Sequence, residues 1–244
     1  RVSVHNPSYR QFLDEIRAEG VLVCDVTDAL AQYRDRSCSA VYLATDTHWR
    51  PEAMELAAKE LARLLERQIA LSTAAAGDDW HRTTRDVENL GDIAMMLKLR
   101  ANQQVFDAEA VTIRPVIDAT GEPWRPDPNA EVLVLGDSFA NIYSLEMMNW
   151  GCGAGLAEQL SFALNHPVDT ILRNDDGAYA TREMLSRELA RGEDRLAGKK
   201  VVVWQFAARE LAVGDWKRLD MPRRRARRPA PSPAPAGSEV IVSG

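Results

Sequence analysis

Two short segments of the chain hold the residue types that together perform acyl chemistry. Gly136-Asp137-Ser138 closes the apolar run Val132 to Leu135, and Asp46-Thr47-His48 follows the shorter apolar stretch Val41 to Leu43. A serine hydroxyl is a poor nucleophile until a base takes its proton. His48 is the candidate base. Asp46, two positions away, can set the imidazole tautomer and steady its charged form, which makes Ser138, His48 and Asp46 a candidate triad in the chain order acid, base, nucleophile. Each motif alone has a plainer reading, since Gly-Asp-Ser turns are common and a lone histidine is more often structural. Their conjunction carries the argument. We expect the Ser138 hydroxyl within about 2.6–3.2 Å of His48, with Asp46 on the other ring nitrogen.

The elements around these segments must bring them together. An apolar run of this length bounded by glycine reads as a strand buried on both faces. Residues Asn141 to Met148 are helix-compatible, so Ser138 is predicted where a strand turns into a helix, at the carboxyl edge where open α/β sheets place their sites. Upstream, Tyr9 to Glu19 is predicted as a helix with Phe12, Leu13 and Ile16 on one face and Gly20 as its stop. Val21 to Val26 is predicted as a strand containing a small core Cys24, and Thr27 or Asp28 as the cap of a short helix through Tyr33. Pro51 opens a strong helix to about Gln68, with Met54, Ala57, Leu61, Leu64 and Leu65 at helical spacing. Downstream come a helix over Gly155 to Leu164, a strand over Val168 to Leu172, a helix over Tyr179 to Arg191, a strand over Lys199 to Phe206 and a short element at Ala207 to Leu211. This alternation predicts an α/β fold with a mostly parallel sheet and helices on both faces.

Residues 69 to 130 break the alternation. Leu71 to Gly77 is small and polar, Asp78 to Asp86 reads as a charged loop, Asp92 to Leu99 as a short helix, and Ala110 to Ile117 is β-branched. Gly121 to Pro128 is too rich in turn residues for regular structure. The segment reads as an insertion packed near the site within a catalytic domain of residues 1–222. After Pro222 the composition shifts to the basic run Arg223 to Arg228 and a Pro/Ala/Ser-rich stretch, a linker or tail over 223–244 in which Val240-Ile-Val could add an edge strand.

Composition bounds the function. The 244 residues are 45% hydrophobic and 27% charged with net charge −6, ordinary for a globular protein and no argument for nucleic acid. No run of about 18 apolar residues occurs. The chain opens on Arg1 and is expected to be a processed or truncated piece, so the absence of a signal or anchor says nothing. Cys24, Cys38 and Cys152 have no paired metal-ligand spacing, and a Cys38 bridge stays open in an oxidising compartment. His5, His81 and His166 read as surface residues.

Asp-Thr-His-Trp followed by Gly-Asp-Ser-Phe resembles the alginate O-acetyltransferases of bacterial exopolysaccharide machinery. Those carry a circularly permuted SGNH-hydrolase-like domain with a one-residue Asp-x-His gap. Asn6 to Tyr9, Gly91-Asp-Ile and Trp204 to Glu210 also look like family segments, and the resemblance spans roughly residues 7 to 212. It implies the flavodoxin-like three-layer fold with a permuted motif order. The resemblance implies a strand before the first helix, and the chain is expected to begin just after it. The glycine and asparagine oxyanion blocks of ordinary SGNH hydrolases are not placed here; the Ser138 backbone N–H can donate to the oxyanion, and the second donor is left open.

The function implied is O-acetyl transfer through acetyl-Ser138 onto a cell-envelope polysaccharide, in the periplasm or at the envelope, with no cofactor or metal. A membrane acyltransferase partner would deliver the acetyl donor. Asn174, Gln205 and Arg209, at strand ends or just beyond, are candidates for oxyanion or substrate contacts. Trp49 is another, although packing beside the turn is its plainer reading. The alternatives are a carbohydrate acetylesterase with the same triad and a non-catalytic polysaccharide-binding module. A metallophosphoesterase would need a Gly-Asn-His block that the chain lacks.

Overall fold

The computed structural model describes residues 7–72, 80–100 and 105–221. The chain runs α1 (Pro7–Ala18), α2 (Thr27–Ser37), α3 (Pro51–Gln68), β1 (His81–Arg82), β2 (Arg85–Asn89), α4 (Asp92–Met96), β3 (Glu109–Ile113) and β4 (Val116–Ile117). It continues through β5 (Val132–Gly136), α5 (Ser138–Asn141), α6 (Leu156–Leu164), β6 (Val168–Leu172), α7 (Gly177–Ala190), β7 (Val201–Trp204) and α8 (Glu210–Val213).

Three strands form the central parallel sheet in the order β6-β5-β7. β5 is the middle strand, and all five of its residues are buried. Successive side chains of a strand point to opposite faces, and β5 uses both. Val132 and Val134 join a core with Leu61 and Leu65 of α3 and Ala157 and Leu160 of α6. Leu133 and Leu135 pack with Ile171 and with Leu185 of α7 on the other face. A strand covered on both sides has no polar alternation to show, which is why the run reads as continuously apolar. Burying each such side chain contributes roughly 1.5–3 kcal/mol. The α/β class and the placement of α3, α6, α7, β5, β6 and β7 agree with the sequence pattern.

The segment between α3 and β5 forms two small antiparallel pairs, β1 with β4 and β2 with β3. Val87, Val111 and Ile113 reach the core around Trp49, Tyr143 and Trp150. The buried Glu55 of α3 receives Arg114 at 2.7 Å and Arg82 at 3.3 Å, tying this segment to the long helix. These pairs place regular structure where a charged loop was predicted over Asp78 to Asp86, because β2 finds its partner only in β3, some twenty residues further on.

Other expectations need correction. Val21 to Val26 is not a strand; among the described residues no neighbouring strand takes its backbone groups, and Val21 and Leu22 stay about half exposed. Cys24 is half-buried against the core, and burial pushes its thiol up to about 11. Neither Thr27 nor Asp28 caps α2: Val26 is the N-cap, and Asp25 Oδ1 accepts the Thr27 N–H at 3.0 Å. The helix after Ser138 stops at Asn141, whose carbonyl takes both the Ser144 and Leu145 N–H groups, and a 3₁₀ turn over Glu146–Met148 follows. His166 is buried, not at the surface, with its carbonyl held by Ser161 Oγ at 2.7 Å. All three cysteines are free. His5, the basic run and the Val240 segment lie outside the described residues.

Candidate active site

Ser138 is the first residue of α5, directly beyond the carboxyl end of the central strand. The turn is tight. A Cβ at Gly136 would stand 2.5 Å from the Ala140 Cβ and 2.9 Å from Leu172 Cδ2, so the position takes glycine and its neighbour a small side chain. Asp137 is the N-cap. One of its carboxylate oxygens accepts the Phe139 N–H at 2.9 Å and the other the Ala207 N–H at 3.0 Å, joining the turn to the segment after β7. Burial raises the Asp137 carboxyl above its ordinary value despite these donors. Gln205 Oε1 accepts the Asp137 N–H at 3.2 Å.

The base arrives on a separate, equally tight loop. Tyr42 bridges Trp49, the Leu43 N–H donates to the His48 carbonyl, and the Arg50 N–H donates to the Val41 carbonyl. This folds Asp46 and His48 into the interior, where they are 5% and 4% exposed. His48 Nε2 lies 2.8 Å from Ser138 Oγ, and His48 Nδ1 lies 2.6 Å from Asp46 Oδ1. The first distance falls inside the hydrogen-bonding range expected from the two motifs. The Phe139 ring packs against His48 at 4.8 Å between centroids and meets Trp49 edge-on at 5.6 Å.

Asp46 is held by more than its histidine. Oδ1 also accepts the His48 backbone N–H at 3.1 Å, and Oδ2 accepts Trp150 Nε1 at 2.8 Å and the Asp92 N–H at 3.1 Å. Burial alone pushes this carboxyl up. The hydrogen bonds from His48, Trp150 and the Asp92 N–H outweigh burial and hold it at about 2. An ionised Asp46 makes Nδ1 the protonated ring nitrogen and leaves Nε2 to accept the serine proton. Asp92 braces the loop in turn: its carboxylate takes the Thr47 N–H at 2.8 Å and Thr47 Oγ1 at 2.7 Å. Gly91 permits this approach. Its φ is +79°, and a Cβ there would stand 2.4 Å from the Thr45 carbonyl oxygen.

Asp46, His48 and Asp92 are also the one group among the described residues clustered closely enough to hold a metal ion. All four of their carboxylate oxygens already accept N–H or O–H donors, an arrangement suited to holding an imidazole rather than a cation.

The remaining candidates divide. Trp49 is 7% exposed, its indole N–H donates to the Phe139 carbonyl at 2.9 Å, and its own carbonyl accepts Tyr143 OH at 2.6 Å. It clamps the two motifs together and has no free face for a sugar ring. Gln205 is spent on the Asp137 turn. Asn174 is exposed, with Oδ1 accepting Asn141 Nδ2 at 2.8 Å. Arg209 lays its half-exposed guanidinium over Phe139, 5.3 Å from the ring centroid. His81, which also stands two residues after an aspartate, is exposed on β1.

Sequence reasoning did not assign Asp92, Trp150, Asn141 or Tyr143 to the site. Gly91-Asp92 stands in a segment singled out by resemblance, and that was its one signal. Trp150, 104 positions from Asp46, left none.

Comparison with known proteins identifies the family. Residues 1–208 match the family model described as the SGNH hydrolase-like domain, acetyltransferase AlgX. Probable alginate O-acetylase AlgJ of Pseudomonas putida is 37% identical over 86% of this chain and 53% of its own length. The protein of that name from Pseudomonas aeruginosa is 32% identical over 86% of this chain and 54% of its own. The chain thus spans about half the length of these curated relatives. The solved O-acetyltransferase domain of Pseudomonas putida AlgJ superposes with a TM-score of 0.66 at 22% identity, covering 88% of this chain and 69% of that one. A strand-end serine facing an Asp-x-His loop, on a doubly covered parallel sheet matched along most of its length, places this chain in the family of the SGNH hydrolase-like domain of acetyltransferase AlgX.

Proposed function

We propose that this chain is the catalytic domain of an O-acetyltransferase that moves acetyl groups onto hydroxyls of an alginate-like exopolysaccharide of the bacterial envelope. The observation that carries it is the continuous hydrogen-bonded line Ser138–His48–Asp46, in a member of an acetyltransferase family whose relatives are named alginate O-acetylases. In this reading His48 Nε2 takes the Ser138 proton as Oγ attacks the acetyl carbonyl. The Ser138 N–H faces the developing oxyanion. Collapse returns the proton from His48 to the departing donor oxygen and leaves acetyl-Ser138. His48 then deprotonates a sugar hydroxyl, which attacks the acetyl group and frees the serine. Asn174 and Arg209 are the side chains best placed to meet the substrate, the guanidinium matching an anionic saccharide.

The domain extends over residues 1–222, with 69–130 as an insertion that supplies Asp92 to the site. The reaction would take place in the periplasm or at the envelope, with acetyl delivered by a membrane acyltransferase. No helix among the described residues is long and apolar enough to cross a membrane.

The test is partition of the acetyl group. A chromogenic acetyl ester is offered with and without uronate oligosaccharides, and acetyl-Ser138 and acetylated sugar are sought by mass spectrometry. Acetylated sugar in the wild type, and neither species in Ser138→Ala, is the expected result. Acetate released at one rate with every acceptor, with no sugar modified, would replace transfer by ester hydrolysis. Full turnover in Ser138→Ala would place the nucleophile elsewhere.

A further inference from the structure

The β2–β3 hairpin leaves its ladder at the Asn89–Glu109 pair, and beyond that pair α4 with residues 97–100 on one arm and 105–108 on the other make up a tip. The described part of this tip keeps its large apolar side chains in solvent. Met95, Met96 and Leu97 are 60%, 69% and 51% exposed, and Leu99, Val105 and Phe106 are 42%, 66% and 40% exposed. Single exposed apolar residues are normal on a protein surface, whereas a run of them in one place marks an interaction site.

Charge says what kind of partner would cover it. From Ile93 to Arg100 the sequence is Ile-Ala-Met-Met-Leu-Lys-Leu-Arg, with two cations and no carboxylate, and the Val105-Phe106 arm adds one exposed carboxylate, Asp107, in a chain whose net charge is −6. Lys98 and Arg100 are both exposed and alternate with leucines. A purely apolar protein groove would bury these cations at a high desolvation cost. At a lipid interface the same pattern is satisfied throughout. Thioether and leucine side chains enter the acyl boundary, while the long stems of Lys98 and Arg100 carry their charges out to lipid phosphates.

We propose that the β2–β3 tip is a lipid-docking surface that seats this protein on an anionic bilayer. The root of the tip is also the brace of the site. The Asp92 N–H donates to Asp46, and the Ile93 and Ala94 N–H groups both donate to the Thr45 carbonyl, at 3.0 and 3.2 Å. The five residues of α4 cover only about 7.5 Å at 1.5 Å per residue. Docking through Met95 and Met96 therefore holds the Asp46–His48 loop close to the membrane surface. The proposal stands on the exposed tip and does not depend on the chemistry assigned to Ser138.

Flotation of the full chain with phosphatidylcholine vesicles, with and without phosphatidylglycerol, tests it. The wild type should float with the phosphatidylglycerol vesicles. Met95→Ser/Met96→Ser should weaken that binding by about tenfold or more, from the lost apolar burial. Lys98→Ser/Arg100→Ser should weaken it by roughly tenfold and show a smaller salt dependence. Unchanged far-UV melting curves would show that both variants are folded. Failure of the wild type to float overturns the proposal. So does flotation that survives the methionine substitutions, which would point to the Arg223–Arg228 run. A concentration-dependent dimer abolished by Met95→Ser/Met96→Ser, without vesicle binding, would give the tip to a second copy of the chain instead.

Discussion

Two buried carboxylates stand on either side of the segment that follows Ser138, and they have opposite fates. Asp46 and Glu158 are each 5% exposed. Asp46 accepts hydrogen bonds from the His48 ring, the His48 N–H, the Asp92 N–H and the Trp150 indole, and is held at about 2. Glu158, in the first turn of α6, accepts the Ser144 hydroxyl at 2.8 Å and N–H groups of its own helix start, and burial carries it up to about 7. Burial is the largest influence on both. The number and polarity of the donors decide whether it wins. The chain spends its strong donors where an ionised carboxylate is needed and lets the other become an acid that titrates near neutrality.

The largest break in this comparison is Asp46→Asn. An amide at this position disturbs the tautomer and removes the charge that steadies the imidazolium, so kcat/KM for an acetyl ester should fall about 10³–10⁴-fold. Loss of less than tenfold, measured by steady-state kinetics, would mean that His48 is oriented by something else.

Glu158→Gln probes the other side. Its folded carboxyl is raised from 4.5 to about 7. The stability it contributes is therefore fully present below about pH 4.5 and is lost as pH rises through about 7, because the folded state binds the extra proton between those limits. The loss is on the order of 3 kcal/mol. A glutamine keeps the neutral form at every pH, so the decline of Tm between pH 5 and 8 should flatten. An unaltered decline would show that Glu158 is not the group titrating.

Asp46 should behave in the opposite sense. Its carboxyl is depressed from 3.8 to about 2, so its contribution is present above about pH 4 and lost as pH falls through about 2. The amount is on the order of 2 kcal/mol. Denaturant unfolding of wild type and Asp46→Asn across this acid range should show it as a slope present in the first and absent from the second.

The smallest effect sharpens the rule about donors. Trp150→Phe removes one of the donors to Asp46 while leaving His48 in place. We expect kcat/KM to fall about tenfold, the scale of one lost hydrogen bond of about 1.4 kcal/mol, and the acid unfolding transition to move to higher pH. A rate loss without that movement would make Trp150 a packing residue only.

The central architecture and the candidate triad were legible in the residues themselves. Val132 to Leu135 needed no partner to be recognised, because a strand covered on both faces is apolar throughout. The 3.6-residue spacing of Met54, Ala57, Leu61 and Leu65 likewise announced α3. Ser138, His48 and Asp46 stood out because each bears chemistry and lies at the end of an apolar segment. Val21 to Val26 misled for the converse reason: an apolar run becomes a strand only when a neighbour takes its backbone hydrogen bonds, and none of the described residues does so here. Tertiary structure alone decided the surroundings of the site. Trp150 reaches Asp46 across 104 positions, and the Asp92 N–H reaches the same carboxylate across 46; nothing local in Trp150 signals the contact. Trp49 is a clamp and not a platform because Phe139 and Tyr143 close over it. Local chemistry and periodicity are properties of a few adjacent residues, whereas the charge of a buried carboxylate depends on which distant donors the fold brings within 3 Å or so of it.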